Sequence, residues 1–252
     1  MSDPVFLADD VATPVGAVLR LDGSEGRHAA VVRRIQAGES VVIADGRGHG
    51  VRGAVVAVDK TGISVEVSEV LDAPQRRYRW TAVQALAKGG ADKQALDAMT
   101  QAGVDEVLAW SAARSIVRWT PDRLDKQLDG WRATAREAAK QSRRLVVPQV
   151  GYAPTAQVIA RVRACAQAFV LHESADGCLA DQTLVGGGEV MVIVGPEGGI
   201  TDDELAVFAQ AGATPVLVGE HVLRSANAGL VGLAQLQAMA RFQAAAKDGG
   251  AA

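Results

Sequence analysis

The chain has 252 residues, 48% of them hydrophobic and 22% charged, with a formal net charge of −3. This is ordinary for a globular protein of one large or two modest domains, and it excludes an indiscriminate nucleic-acid binder while leaving room for a locally basic face that grips structured RNA. No apolar run approaches the ~20 residues of a membrane span, the start Met1-Ser2-Asp3-Pro4 lacks the basic and apolar regions of a signal peptide, and Cys165 and Cys178 are too few for a disulfide framework or a zinc site, so the expectations are a cytoplasmic location, no membrane and no metal.

Residues 1–73 read as a β-rich unit with the strand spacing of a barrel or sandwich. Short apolar runs at 5–7 and 17–19 precede a stronger strand at 39–44, closed by Asp45-Gly46 and Gly48. A pair at 51–58 and 63–70 follows, separated by Asp59-Lys60-Thr61-Gly62. Between these strands 24–36 is predicted helical, because Ser24 suits a helix start and Ala29, Val32 and Ile35 recur at helical spacing. Arg27, His28, Arg33 and Arg34 then lie close together, either as an RNA-phosphate contact or as a solvated helix face. Asp72-Ala73-Pro74-Gln75 reads as a linker; Arg76-Arg77-Tyr78-Arg79-Trp80 beyond it suits RNA phosphates and bases or packing at a domain junction equally well.

From Thr81 the pattern alternates between strand and helix, which argues for a parallel α/β sheet in a second domain, 74–244. Strands are expected at 81–87, 104–110 and 168–171, helices at 92–102, 122–143 and 155–164, with an extended segment through Val147-Pro148. Helix 122–143 carries Arg132, Arg136 and Lys140 at four-residue spacing and ends near Arg143 and Arg144, a basic track open to RNA or to solvent. The last residues, 245–252, are expected to form a disordered tail.

The functional signal is densest in 190–236. The apolar run Val190-Met191-Val192-Ile193-Val194 suits a strand buried on both faces, and Gly195-Pro196-Glu197-Gly198-Gly199 stops it, leaving backbone groups open to a ligand. Thr201 and Glu204 form a capping-box pattern at the start of a helix that ends near Gly212. The arrangement repeats: strand 215–218, turn Gly219-Glu220-His221-Val222-Leu223-Arg224-Ser225, and an apolar helix over 226–242. Leu171-His172-Glu173 ends another buried strand, and ligands of open α/β sheets gather at such strand ends. Phosphate is a poor fit for the first turn, since no Lys-Ser/Thr follows the glycines and Glu197, Asp202 and Asp203 would repel it. A neutral or cationic ligand held by backbone groups fits better.

These two turns, VGPEGGITDDEL from Val194 and LVGEHVLRSANAGL from Leu217, resemble the paired signature loops of SPOUT-class methyltransferases, specifically the RsmE type. The similarity extends to Ala87-Lys88-Gly89, to Arg114-Ser115, and to the stretch around Arg136, Lys140, Arg143 and Arg144. The resemblance implies a SPOUT-like parallel sheet with a carboxyl-terminal trefoil knot, a small amino-terminal PUA-like β-barrel that binds RNA, and a homodimer. It implies methylation of N3 of a uridine in 16S ribosomal RNA of the small subunit, with S-adenosylmethionine as donor. The cofactor would be held by Leu171, His172, Glu173, Val194, Gly195, Pro196, Glu197, Gly198, Gly199, Leu217, Val218, Gly219, Val222, Leu223, Ser225, Asn227 and Ala228. RNA would meet Arg27, His28, Arg33, Arg34, Arg114, Arg136, Lys140, Arg143 and Arg144. Where such enzymes commonly read Leu-Arg-Thr-Glu-Thr-Ala, this chain has Leu223-Arg224-Ser225-Ala226-Asn227-Ala228, and Thr100-Gln101-Ala102-Gly103 stands for Thr-Glu-Leu-Gly.

The acceptor is an imide N–H, neutral at physiological pH, so losing its proton creates an anion that needs a cation beside it. Arg224 is the candidate for that catalytic role. A non-catalytic RNA-binding protein on the same fold is the rival reading, prompted by the carboxylate missing beside Arg224. A dinucleotide enzyme ranks far below, because neither turn has Gly-x-Gly-x-x-Gly spacing. The final helix, with Leu230, Leu233, Ala234, Gln237 and Met239, is expected to offer more apolar surface than one subunit covers.

Overall fold

The computed structural model describes residues 3–248. The chain forms two compact units, Met1–Gln75 with Arg136–Val147, and Arg76–Ala135 with Pro148–Ala252. Arg136–Val147 joins the first unit through bridges from Val146 to Gly46 and Arg47 and a hydrogen bond from Val147 N to Gly46 O (2.8 Å). Such long-range pairing leaves no local signal in sequence.

In the first unit β1 (Val5–Leu7), β2 (Val18–Leu21), α1 (Gly23–Arg27), β3 (Ser40–Ala44), β4 (His49–Asp59) and β5 (Gly62–Asp72) follow in chain order. They build a five-stranded sheet in the order β1-β3-β4-β5-β2, antiparallel except for β1 beside β3. The hairpin turn between β4 and β5 is tied by Asp59 Oδ1, which accepts Thr61 N (2.7 Å) and Gly62 N (3.1 Å). Phe6, Val41, Ile43, Val51, Ile63 and Val65 bury the inner face. The helix expected over 24–36 is shorter and wider: α1 passes into a π-helical turn, His28–Val32, in which Arg33 N donates to His28 O (2.8 Å). The wider turn lets Ala29 and Ile35 both reach the core.

The second unit alternates β6 (Tyr78–Ala85), α2 (Ala91–Gln101), β7 (Glu106–Trp110), α3 (Leu124–Gln141), β8 (Gln149–Ala153), α4 (Thr155–Ala164), β9 (Gln167–Leu171), β10 (Gly188–Val194), α5 (Asp202–Ala211), β11 (Ala213–Val216) and α6 (Ser225–Asp248), the last turns of α3 counting with the first unit. Its six strands are all parallel, in the order β11-β9-β10-β6-β7-β8. The chain winds outward from β6 to β8, then crosses to lay β9 and β10 on the other side, so the order reverses beside β6. That reversal is the switch point at whose carboxyl edge a ligand crevice forms. The core packs Trp110 against Phe208 edge to face (5.3 Å) among Val83, Val158, Val170 and Ile193. Truncating either aromatic to alanine costs about 3–5 kcal/mol.

Several expectations are refined. Beyond the extended segment through Val147-Pro148 the chain forms a further strand, β8; it is an edge strand, only half-buried, and lacks a continuous apolar run. The Arg76–Trp80 stretch packs within the second unit: Arg76 donates to Gly103 O (3.0 Å), Arg77 to Gly186 O (2.9 Å), and Tyr78 stacks on Trp80 (5.3 Å). The apolar face of α6 is largely consumed inside its own unit, with Leu233 and Leu236 1% exposed and Gln237 donating to Ala102 O (2.9 Å). Helix α6 also outruns its expected end at 242 and reaches Asp248; the expected tail 245–252 thus begins on this helix, and 249–252 lie outside the described residues. Among the described residues no helix is long and apolar enough to cross a membrane.

Candidate active site

The carboxyl ends of β6, β9, β10 and β11 open into a cleft of about 1080 Å³. A smaller concavity of about 480 Å³ in the first unit is walled by Asp10, Asp45, Arg47, His49 and Asp72. Size, glycine-rich walls and position at the switch point favour the larger cleft as the functional site.

Its first wall is the turn after β10. Gly199 has φ +75°, and its N–H donates to Pro196 O (2.9 Å), a left-handed step that a Cβ would strain. At Gly195 a Cβ would lie 2.7 Å from Ile200 Cγ1, so only glycine fits there. Thr201 then caps α5 in a reciprocal capping box with Glu204. The buried Glu204 reaches further: its Oε1 accepts the Ala113 N–H (2.7 Å), fastening the loop after β7 to the same turn. From that loop Arg114 Nη1 donates to Gly198 O (3.2 Å).

The second wall is the segment after β11. Leu217 N donates to Gly177 O (2.8 Å) and Leu217 O accepts Leu179 N (2.7 Å), while Val218 O accepts Gln235 Nε2 (2.7 Å). Ser225 Oγ donates to Gly195 O (2.8 Å), so the second wall is tied to the first. Arg224 serves as the residue before α6, its carbonyl accepting Asn227 N (2.8 Å) and Ala228 N (3.0 Å). Its side chain is exposed in the cleft, and among the described residues it has no ion-pair partner.

Leu171, His172 and Glu173 form the third wall, with His172 N donating to Val216 O (3.1 Å). The structure therefore brings Leu171, His172, Glu173, Val194, Gly195, Pro196, Glu197, Gly198, Gly199, Leu217, Val218, Gly219, Val222, Leu223, Arg224, Ser225, Asn227 and Ala228 around one cleft. It adds Lys88, Gly89 and Gln94, which sequence reasoning left out of the pocket although Ala87-Lys88-Gly89 carried part of the resemblance. Beneath that loop Asp92 is buried and accepts Ala87 N (3.3 Å) and Lys93 N (2.7 Å); burial pushes its carboxyl up, and these bonds pull it back only in part.

The residues expected to meet RNA divide. In the first unit Arg27, Arg33 and Arg34 are exposed, while His28 is half-buried with its ring edge-on to Phe6 (6.4 Å). Arg136 and Arg143 of the same unit are exposed too, and Arg144 is half-buried. Lys140 departs from the open track expected of it: it is 8% exposed, and its ammonium is held by Glu25 (2.9 Å) and Glu137 (2.7 Å). Burial alone would lower its pKa, yet the two carboxylates more than offset this and raise it. Lys140 thus fastens α1 to the end of α3. Arg132 is likewise paired, with Asp129 (3.0 Å).

Fold and cleft together define an RNA methyltransferase domain accompanied by a PUA domain: the RNA methyltransferase domain family matches residues 74–237, and the RNA methyltransferase PUA domain family matches residues 21–68. The chain is 42% identical over 245 residues to the ribosomal RNA small subunit methyltransferase E of Mycobacterium tuberculosis, spanning 95% of this chain and 94% of that one. The Bacillus subtilis protein of that name is 25% identical over 228 residues, 86% of this chain and 88% of its own. The chain belongs to the ribosomal RNA small subunit methyltransferase E family. The Neisseria gonorrhoeae member, whose crystal structure is bound to S-adenosyl methionine, has the same fold, with a TM-score of 0.83 at 22% identity over 94% of this chain and 98% of that one.

Proposed function

We propose that this chain transfers a methyl group from S-adenosylmethionine to N3 of a uridine in 16S ribosomal RNA of the small subunit. The observation that carries the reading is the convergence of three strand-end segments, 171–173, 194–199 and 217–228, on one cleft with Arg224 exposed inside it. The family's name supports the RNA, and the signature turns at Val194 and Leu217 support the target atom.

The residues present suit the donor. Gly198 and Gly199 leave backbone accessible, Gly219 has open space where a side chain would stand, and Glu173, Glu197, Asp202 and Glu220 surround the cleft with negative charge that favours a cationic sulfonium. When bound there, S-adenosylmethionine supplies a methyl group already activated for transfer. The protein's own task is then alignment and charge. Arg224, a guanidinium cation exposed in the cleft, stabilises the uracil anion left when N3 releases its proton to solvent. Lys88 is the other cation of the cleft without a protein partner among the described residues, whereas Arg114 is engaged with Gly198.

In the first unit Arg27, Arg33, Arg34, Arg136 and Arg143, with His28 and Arg144 beside them, grip RNA phosphates, and Lys140 holds their supports together. Closure of that sheet into a barrel is favoured by the register shifts at Arg52/Gly53 and Val55/Ala57, which bend β4 against β5. A trefoil knot is supported by Leu217, whose backbone bonds to Gly177 and Leu179 run beside a segment that α6 also packs against. A homodimer is supported by Val222 and Phe242, each 75% exposed. A cytoplasmic location is supported by the ribosomal substrate that the family's name gives. Incubation of the purified chain with methyl-labelled S-adenosylmethionine and small-subunit RNA or assembled subunits tests the activity: label in RNA is expected, and cofactor binding without any transfer would favour an RNA-binding role instead.

A further inference from the structure

Gln84 lies near the carboxyl end of β6, in register with Val194 of β10 and Ala109 of β7, and is 0% exposed. Its neighbours Val83 and Ala85 are buried and apolar, so an amide here is unfavourable unless its donors and acceptor are answered. Only the donors are. Nε2 donates to Ser225 Oγ (2.9 Å) and to Ala85 O (3.2 Å), while Oε1 has no hydrogen-bond partner among the described residues. The nearby Ala85 carbonyl fixes the amide orientation, since a flipped amide would set oxygen against oxygen.

That orientation sets the next group. Ser225 Oγ already accepts from Gln84, so its own hydrogen is directed to Gly195 O, 2.8 Å away. Gly195 opens the first wall of the cleft and Ser225 opens α6, one residue after Arg224. A single buried relay therefore runs from β6 to the roots of both walls. A buried glutamine between apolar neighbours adds less to stability than an apolar residue of its shape, so what its donor holds in place explains it better.

We propose that Gln84 is a positioning residue for methyl transfer, acting through Ser225 to hold Arg224 against the turn that begins at Gly195. This rests on the reading of the cleft as a methyltransferase site. Gln84→Met keeps the shape and removes the donor; Ser225→Ala removes the middle of the relay and serves if Gln84→Met fails to fold. Each is expected to lower the single-turnover rate at saturating S-adenosylmethionine by on the order of 10- to 100-fold, the scale of a small misplacement of reacting groups. In an Arg224→Ala background the same change should cost about threefold or less, because the group it positions is gone. Amide hydrogen exchange in 195–199 and 223–227 should quicken together in either variant, a readout that needs no activity. An equal rate loss with and without Arg224, or a folded Gln84→Met protein whose rate and exchange match the wild type, would overturn the proposal. Wild-type protein that transfers no methyl group defeats the methyltransferase reading instead, and hydrogen exchange alone then decides whether the relay exists.

Discussion

Under the proposed function, two single positions in the cleft, Arg224 and Gly199, carry much of the chemistry. Arg224→Ala should lower the single-turnover methylation rate by on the order of 100-fold, the scale of one lost transition-state donor, with Arg224→Lys intermediate and cofactor affinity little changed. Weakened affinity at an intact saturated rate would make Arg224 a clamp. Gly199 sits at φ +75°, where a β-branched residue is strained, so Gly199→Val should abolish cofactor binding in calorimetry while the first unit stays folded. The place of both residues on one cleft was legible because glycine clusters and a lone arginine after an apolar strand are local features. Lys140 was not legible as a structural cation: its four-residue spacing from Arg136 looks the same whether Glu25, 115 positions away in sequence, answers it or not. Lys140→Ala should destabilise the fold by about 1–3 kcal/mol, since it leaves Glu25 partly buried and unpaired, yet leave the salt dependence of RNA binding unchanged.

Elements that announce themselves by periodicity, such as β10 and the capped α5, were readable, whereas β8 and the π-helical turn were not, because a half-buried edge strand and a widened helix are set by what packs on them. The amino ends of the parallel strands hold a network equally hidden from sequence. Glu106 of β7 takes a two-pronged bond from Arg161 (2.8 and 3.2 Å) and one from Arg79 (3.1 Å), and Arg161 also meets Glu189 of β10 (2.6 Å). Burial pushes the Glu106 carboxyl up, but these cations outweigh it and hold its pKa below the ordinary range. A carboxylate depressed in this way contributes stability that is present above its unfolded pKa and lost as pH falls through the folded one. Glu106→Gln should therefore cost about 1–3 kcal/mol near pH 7, with the difference from wild type fading as pH drops below about 4. A difference that persists unchanged into acid would mean the network is held by shape rather than charge.

For the whole molecule the proposed function assigns the two units separate tasks, and each can be tested in the full chain. Replacing Arg33 and Arg34 with alanine should weaken RNA binding and reduce its logarithmic salt slope by about 0.7 to 0.9 for each phosphate that is no longer neutralised. An unchanged slope removes them from the footprint. Sedimentation at micromolar concentration should show a dimer that Phe242→Glu weakens; an active monomer would count against it. The break between the units at Gln75 lies in the stretch Asp72-Ala73-Pro74-Gln75 that reads as a linker before the strand-helix alternation from Thr81, whereas the return of Arg136–Val147 to the first unit was not legible, because it depends on Val146 finding Gly46 across the chain. The most direct test is mass spectrometry of nucleosides from small-subunit ribosomal RNA of cells with and without this protein. N3-methyluridine should be present with it, absent without it, and restored by the wild-type chain but only poorly by Arg224→Ala. An unchanged N3-methyluridine signal in cells lacking the protein would contradict the proposed function.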